Sequence, residues 1–236
     1  MNNVFYLMDT AQFRCTAKTD NQELKKILKQ QFNIDARRIN RLTMASLLTV
    51  LPLSLIDKKT YLYTGTAFSS PEKFNQQMDR LFHKEIPKPF DFIYNIANAP
   101  AFEIAKTLTL QGNALNCVVP YDEYTAWQQI LSMAVSDLLL NKTQNALMCL
   151  AYEYVNGDCN AQSLLLSKNN QPHKIADICL VENKNKIDFS GSLIELLQHK
   201  HNVILPINEK YQIEFNCRVG FPAHHCPAGA TNDLIF

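Results

Sequence analysis

The chain has 236 residues, 47% of them hydrophobic and 10% aromatic, enough for one large domain or two small ones around a substantial core, so an intrinsically disordered chain is excluded. Lysine and arginine number 23 against 22 acidic residues, and the net charge of +1 supplies no global field for phosphate backbones or acidic membranes, so neither a nucleic acid nor a membrane surface is an expected partner. Only 6 glycines are present, well below the usual ~7%, which argues against glycine-rich phosphate loops.

Asn21 to Phe32 has helical spacing through Leu24, Ile27, Leu28 and Phe32, and Arg37 to Leu51 repeats it through Ile39, Leu42, Leu47 and Leu48. Two helices are therefore expected before the first clear strand. Thr60 to Phe68 is β-branched and aromatic, and Ser69-Ser70-Pro71 after it predicts a loop and a helix starting at Pro71. Strand-to-helix order implies an α/β layer. Pro87 and Pro89 break the chain before a helical stretch, Ile93 to Leu108, whose Ala97, Ala101 and Ala105 suit close packing.

Leu115 to Val119 reads as a short buried strand stopped by Pro120, leading through Tyr121-Asp122-Glu123 into a helix that runs to about Leu140. Apolar residues cover more than half of that helix's circumference, which predicts burial between layers. Asn145 to Val155 and Ile175 to Val181 are continuous apolar strands suited to the centre of a covered sheet, and Gln162 to Ser167 is a weaker one. Beyond Glu182 a short helix over Leu193 to Leu197 is expected, and then an irregular tail.

The seven cysteines are scattered without a C-x-x-C pair, several inside apolar runs, which reads as reduced buried thiols in a cytoplasmic protein. No signal peptide is read at the start. The longest apolar stretch, Leu47 to Ile56, carries Pro52 and falls far short of the ~20 residues that span a bilayer. His224-His225-Cys226 has ligand chemistry, but adjacent residues place three side chains on one ion with difficulty, and no metal or other cofactor is expected. Asp122 and Glu123 could serve as acid and base, although the first turn of a helix explains them as capping residues. Arg37, Arg38 and Arg41 form a small basic cluster that could dock a phosphopantetheine or an acidic carrier protein; a solvated face is the commoner reading.

Arg37-Arg38-Ile39-Asn40-Arg41-Leu42-Thr43 resembles the RRM-x-R-x-(S/T) helix of β-ketoacyl synthases, and Thr64-Gly65-Thr66 is similar to the strand that follows it in that family. Phe90 to Ala99, Gly112-Asn113-Ala114 and Cys117 to Leu140 follow in the family's order, the last resembling its nucleophile strand, elbow and buried helix. Asn145 to Glu153 resembles the next central strand. The resemblance spans about residues 35 to 182. It implies an α/β thiolase-like half-fold, a central mixed sheet with helices on both faces that lacks the second half of a full ketosynthase. Residues 1–182 would form the ketosynthase-like domain, and 183–236 a short C-terminal helix and irregular tail.

Two departures bear on function. Counting forward from Gly112 puts the family's nucleophilic cysteine at Tyr121, and counting back from Asn141 puts it at Tyr124; neither is a cysteine. The catalytic histidines of the absent second half have no place. Without a thiolate the condensation loses its nucleophile, so the resemblance implies no catalytic residue here. It implies instead a non-catalytic subunit like the short chain length factors of bacterial aryl polyene pathways. Such a subunit pairs with an active β-ketoacyl synthase as a heterodimer, has an acyl carrier protein as a further partner, and lends walls to the acyl tunnel. A subunit free of catalytic constraint can also lose glycines. Tyr121, Tyr124 and Trp127 are the tunnel candidates, with core packing an equal alternative. The strand before the elbow lies near the dimer axis in this fold, which makes Ala101, Asn116 and Cys117 the interface candidates. A stand-alone acyl-binding or acyl-transfer protein and an α/β interaction module stay open beside this reading.

Overall fold

The structure is a computed structural model that describes residues 4–67, 70–83, 96–182, 192–199, 201–208 and 210–217. Its strands are β1 (Val4–Cys15), β2 (Tyr61–Thr66), β3 (Ala114–Val118), β4 (Asn145–Glu153), β5 (Cys159–Ser167), β6 (Ala176–Glu182), β7 (Val203–Pro206) and β8 (Tyr211–Cys217). Its helices are α1 (Asn21–Phe32), α2 (Arg41–Val50), α3 (Pro71–His83), α4 (Ala99–Thr107), α5 (Glu123–Leu139) and α6 (Leu193–Gln198). The eight strands among the described residues join one mixed sheet in the order β3-β2-β4-β5-β1-β6-β8-β7. β3, β2 and β4 run parallel, and every other pairing is antiparallel.

Helices cover both faces, as the sequence implies. On one side α5 and α6 bury Trp127, Ile130, Leu131, Leu193 and Leu197 against Tyr63, Met148, Leu150, Leu164 and Phe215. On the other, α1, α2 and α4 bury Leu24, Leu28, Leu47, Leu48 and Ile104 against Phe13, Leu62, Leu147 and Leu165. All ten residues of α2 are buried. Most of its polar groups find partners: Asn40 caps the helix by accepting from the Thr43 amide at 2.8 Å, the Ser46 hydroxyl donates to the Leu42 carbonyl at 2.9 Å, and the Thr49 and Ser163 hydroxyls bond at 2.7 Å, while the Thr43 hydroxyl is buried without a protein partner. These bonds offset most of the desolvation cost of laying serine and threonine against the sheet.

Three expectations need correction. A strand, β1, precedes the two helices and sits inside the sheet between β5 and β6. A register shift between Leu7 and Asp9 turns its side chains over, so Phe5 and Leu7 join one core while Met8, Ala11, Phe13 and Cys15 join the other. A bulge of this kind erases the period-two pattern on which strand recognition rests. Second, α5 buries only one face; Gln129 and Ser136 stay exposed. Third, Val203–Pro206 and Tyr211–Cys217, in a stretch expected to be irregular, pair as antiparallel β7 and β8, whose Val203, Leu205, Ile213 and Phe215 enter the core beside the expected helix α6. The segment Phe90 to Asn95 and the His224-His225-Cys226 tail lie outside the described residues. No helix among the described residues is long and apolar enough to cross a membrane.

Candidate functional site

Two of the glycines that carry the resemblance have steric reasons to be glycine. A Cβ on Gly65 would stand 2.4 Å from Ile130 Cδ1, so its absence lets α5 settle onto β2. A Cβ on Gly112 would meet the Thr60 carbonyl oxygen at 2.5 Å, where the entries of β2 and β3 run close together. With these approaches allowed, β3 lies parallel to β2 with Cys117 opposite Gly65 and Val118 opposite Thr66, and the Val119 amide donates to the Thr66 carbonyl at 3.0 Å. The chain then turns through Pro120 to Asp122 into α5.

Asp122 is the cap of α5: its carboxylate accepts from the Thr125 amide at 2.9 Å and from the Thr125 hydroxyl. These bonds hold the Asp122 carboxyl below its ordinary range. The Glu123 carboxylate accepts from the Leu193 amide at 3.1 Å and so fastens α6 to α5, while burial pushes its carboxyl up. Both acids of the turn therefore have architectural partners.

The three aromatic tunnel candidates stand in different surroundings. Trp127 is completely buried, and its indole N–H donates to Gln162 Oε1 at 3.1 Å. Tyr124 is partly buried against the same core. Tyr121 is 48% exposed; its ring lies 5.6 Å from that of Tyr152 and 5.7 Å from that of Tyr154, and its hydroxyl donates to the Glu153 carbonyl at 3.4 Å. The Tyr152 hydroxyl returns a bond of 2.9 Å to the Pro120 carbonyl, so the turn is held against the end of β4 by three tyrosines.

Of the interface candidates, Ala101 lies in the core between α4 and α2, because its side of α4 faces inward; its neighbour Phe102 is exposed. Asn116 is half-buried and its side-chain oxygen accepts from the Thr64 hydroxyl at 2.8 Å. The Cys117 sulfur sits 3.7 Å from Met133 Sδ under α5, and burial pushes its thiol up, away from a nucleophile's state. β3, expected from sequence to be a buried strand, is instead the terminal strand of the sheet among the described residues, with Leu115 41% and Val118 66% exposed, because only β2 pairs with it.

Glu153, at the C-terminal end of β4, was not singled out from sequence, nor were Tyr152 and Tyr154 beside it. The available signal was position, since the carboxyl ends of parallel strands are where α/β sheets gather ligand-facing groups. Glu153 is buried, accepts from the Ser70 hydroxyl at 2.7 Å, and has its carboxyl raised by that burial. A carboxyl raised in the folded state stabilises the fold below the ordinary glutamate range, and the contribution is lost as pH climbs toward the folded value. Glu153→Gln is therefore expected to melt with wild type near pH 4 and above it at pH 7 to 8, which thermal melts across that range check. A constant difference at all pH values would refute the assignment.

Neither a family model nor a curated protein matches the sequence. Solved structures do match. A chain of the ketosynthase (ApeO) in complex with its chain length factor (ApeC) from Xenorhabdus doucetiae aligns with a TM-score of 0.59 at 13% identity, over 90% of this chain and 99% of that one. The fold is the thiolase-like one of ketosynthases and chain length factors. The ishigamide ketosynthase/chain length factor aligns with a TM-score of 0.56 at 10% identity, over 77% of this chain and 68% of that one. A complex of a type II polyketide acyl carrier protein with its ketosynthase (AntDE:AntF) gives 0.54 at 10% identity, over 78% and 70%. Because the first match covers nearly all of the other chain, the matched subunit is itself about as short as this protein. The turn between β3 and α5 carries Pro120, Tyr121 and Asp122.

Proposed function

We propose that the protein is a chain length factor-like subunit, inactive alone, that pairs with an active β-ketoacyl synthase in the cytoplasm and shapes the tunnel of an aryl polyene type of fatty acid or polyketide synthesis. The observation that carries this reading is the terminal strand β3. Among the described residues it leaves one backbone edge without a partner strand and two aliphatic side chains in water, an arrangement that isolated proteins avoid and that a partner's strand or surface relieves. The elbow beside it offers tyrosines where a condensing enzyme needs a thiolate. In this reading residues 1–182 form the ketosynthase-like part, and 183–236 an appended segment whose hairpin extends the far edge of the sheet.

Coexpression with ketosynthase candidates, followed by tagged purification, should recover a heterodimer. The chain alone, given malonyl- and acyl-loaded carrier proteins, should release no ketoacyl product. Turnover by the chain alone that Cys117→Ala abolishes would overturn the proposal.

A further inference from the structure

Arg41, read from sequence as part of a surface cluster, is instead buried at 4% exposure in the first turn of α2. Its guanidinium donates to the carbonyls of Thr16 at 2.6 Å, Thr19 at 2.7 Å and Gly157 at 3.1 Å, and to Asn21 Oδ1 at 2.9 Å. Among the described residues no carboxylate reaches it within ion-pair distance. Its remaining contact is Nη2 to the Cys15 sulfur at 3.3 Å. A buried cation is costly without a counter-charge, and the ionisable group in contact with this one is the Cys15 thiol.

Cys15 closes β1 directly opposite Cys159, the first residue of β5, in the antiparallel ladder. Opposed residues in such a ladder have Cα atoms about 4.5 or 5.5 Å apart, and a disulfide bridges roughly 4.4 to 6.8 Å. A surface cavity of about 340 Å³ borders both cysteines, with Arg14, Tyr154 and Asp158 in its lining. The hydrogen bond from Cys159, assisted by the charge of Arg41, holds the Cys15 thiol below its ordinary range, whereas that same bond and burial push Cys159 up. Cys117, Cys149, Cys179 and Cys217 are all pushed up by burial.

We infer that Cys15 and Cys159 form a reactive dithiol for a small-molecule disulfide entering that cavity, with Cys15 as the attacking thiolate and Cys159 as the resolving thiol. The Cys15 sulfur attacks one sulfur of R–S–S–R, forming a mixed disulfide and expelling RS⁻. The Cys159 sulfur then attacks Cys15, loses its proton to the medium, and expels the second RS⁻. The two protein thiols are oxidised to one disulfide while the small disulfide is reduced to two thiols. The Arg41 guanidinium, which donates to the Cys15 sulfur at 3.3 Å and stabilises a thiolate there, is what gives the reaction its order, because the deprotonated thiol is the nucleophile. The inference is independent of the partner reading.

The test uses the full chain as recovered from cells, incubated without denaturant with excess oxidised glutathione, quenched in acid, alkylated and mapped by mass spectrometry. Wild type should yield a cross-linked Cys15–Cys159 peptide, preceded by glutathione on Cys15. Cys159→Ser should stop at that mixed disulfide, and Cys15→Ser should give neither product, with thermal melts checking that both variants fold. If a variant does not fold, the wild-type time course decides. Glutathione appearing first on Cys159, or on Cys117, Cys179 or Cys217 ahead of Cys15, or no cross-link at all, overturns the inference.

Discussion

On the proposed pairing, Val118→Lys should abolish recovery of the protein with a ketosynthase while leaving the chain folded. The side chain is 66% exposed on the outermost strand, so in the free chain a lysine there costs little, within about 0.5 kcal/mol for a surface change. In a desolvated contact the same ammonium has no counter-charge and costs about 3 to 5 kcal/mol, which weakens association by about two to three and a half orders of magnitude at about 1.4 kcal/mol per decade. Asn116 is a poorer probe because its side chain already bonds Thr64. Ala101 is poorer still, since a lysine at that buried position would disrupt α4 and α2 within the chain and mimic an interface defect. Copurification yield beside a thermal melt of the variant separates the two effects. Unchanged yield from a folded Val118→Lys chain would place the partner surface away from β3.

The second large effect is expected at Trp127. Truncation to alanine removes the biggest fully buried side chain and strands the Gln162 carbonyl oxygen that accepts its N–H. Large-to-small changes of this kind cost about 3 to 5 kcal/mol, and the orphaned acceptor adds about 1 to 3. For a chain of this size the melting temperature should fall by on the order of 10 °C or more. A tunnel gate behaves otherwise: Trp127→Ala would leave stability near wild type, preserve the complex and lengthen the product. Tyr121→Ala is the contrasting substitution, because its ring is half exposed and its aromatic contacts are worth only about 0.5 to 1.5 kcal/mol. Calorimetry of both variants, with mass spectrometry of the products of the reconstituted complex, distinguishes a core tryptophan from a gating one.

Sequence alone determined the elements with a clean local period. The helix over Asn21–Phe32, the helix starting at Pro71, the strand inside Thr60–Phe68 and the helix after Asp122 all stand where their apolar spacing and capping residues put them. That the turn between β3 and α5 holds no cysteine was equally plain, since it is a matter of residue identity. Tertiary structure decided what depends on elements distant in the chain. β1 has no regular alternation because its bulge sends successive apolar residues to opposite cores, and the β7–β8 hairpin is too short to signal itself before a neighbouring strand pairs with it. Ala101 and Arg41 look like surface residues in a linear reading; burial depends on which side of α4 meets α2, and on carbonyls contributed by the turns after β1 and β4. Cys15 and Cys159 are 144 positions apart in number and become neighbours only through strand register, a long-range property that no local spacing encodes.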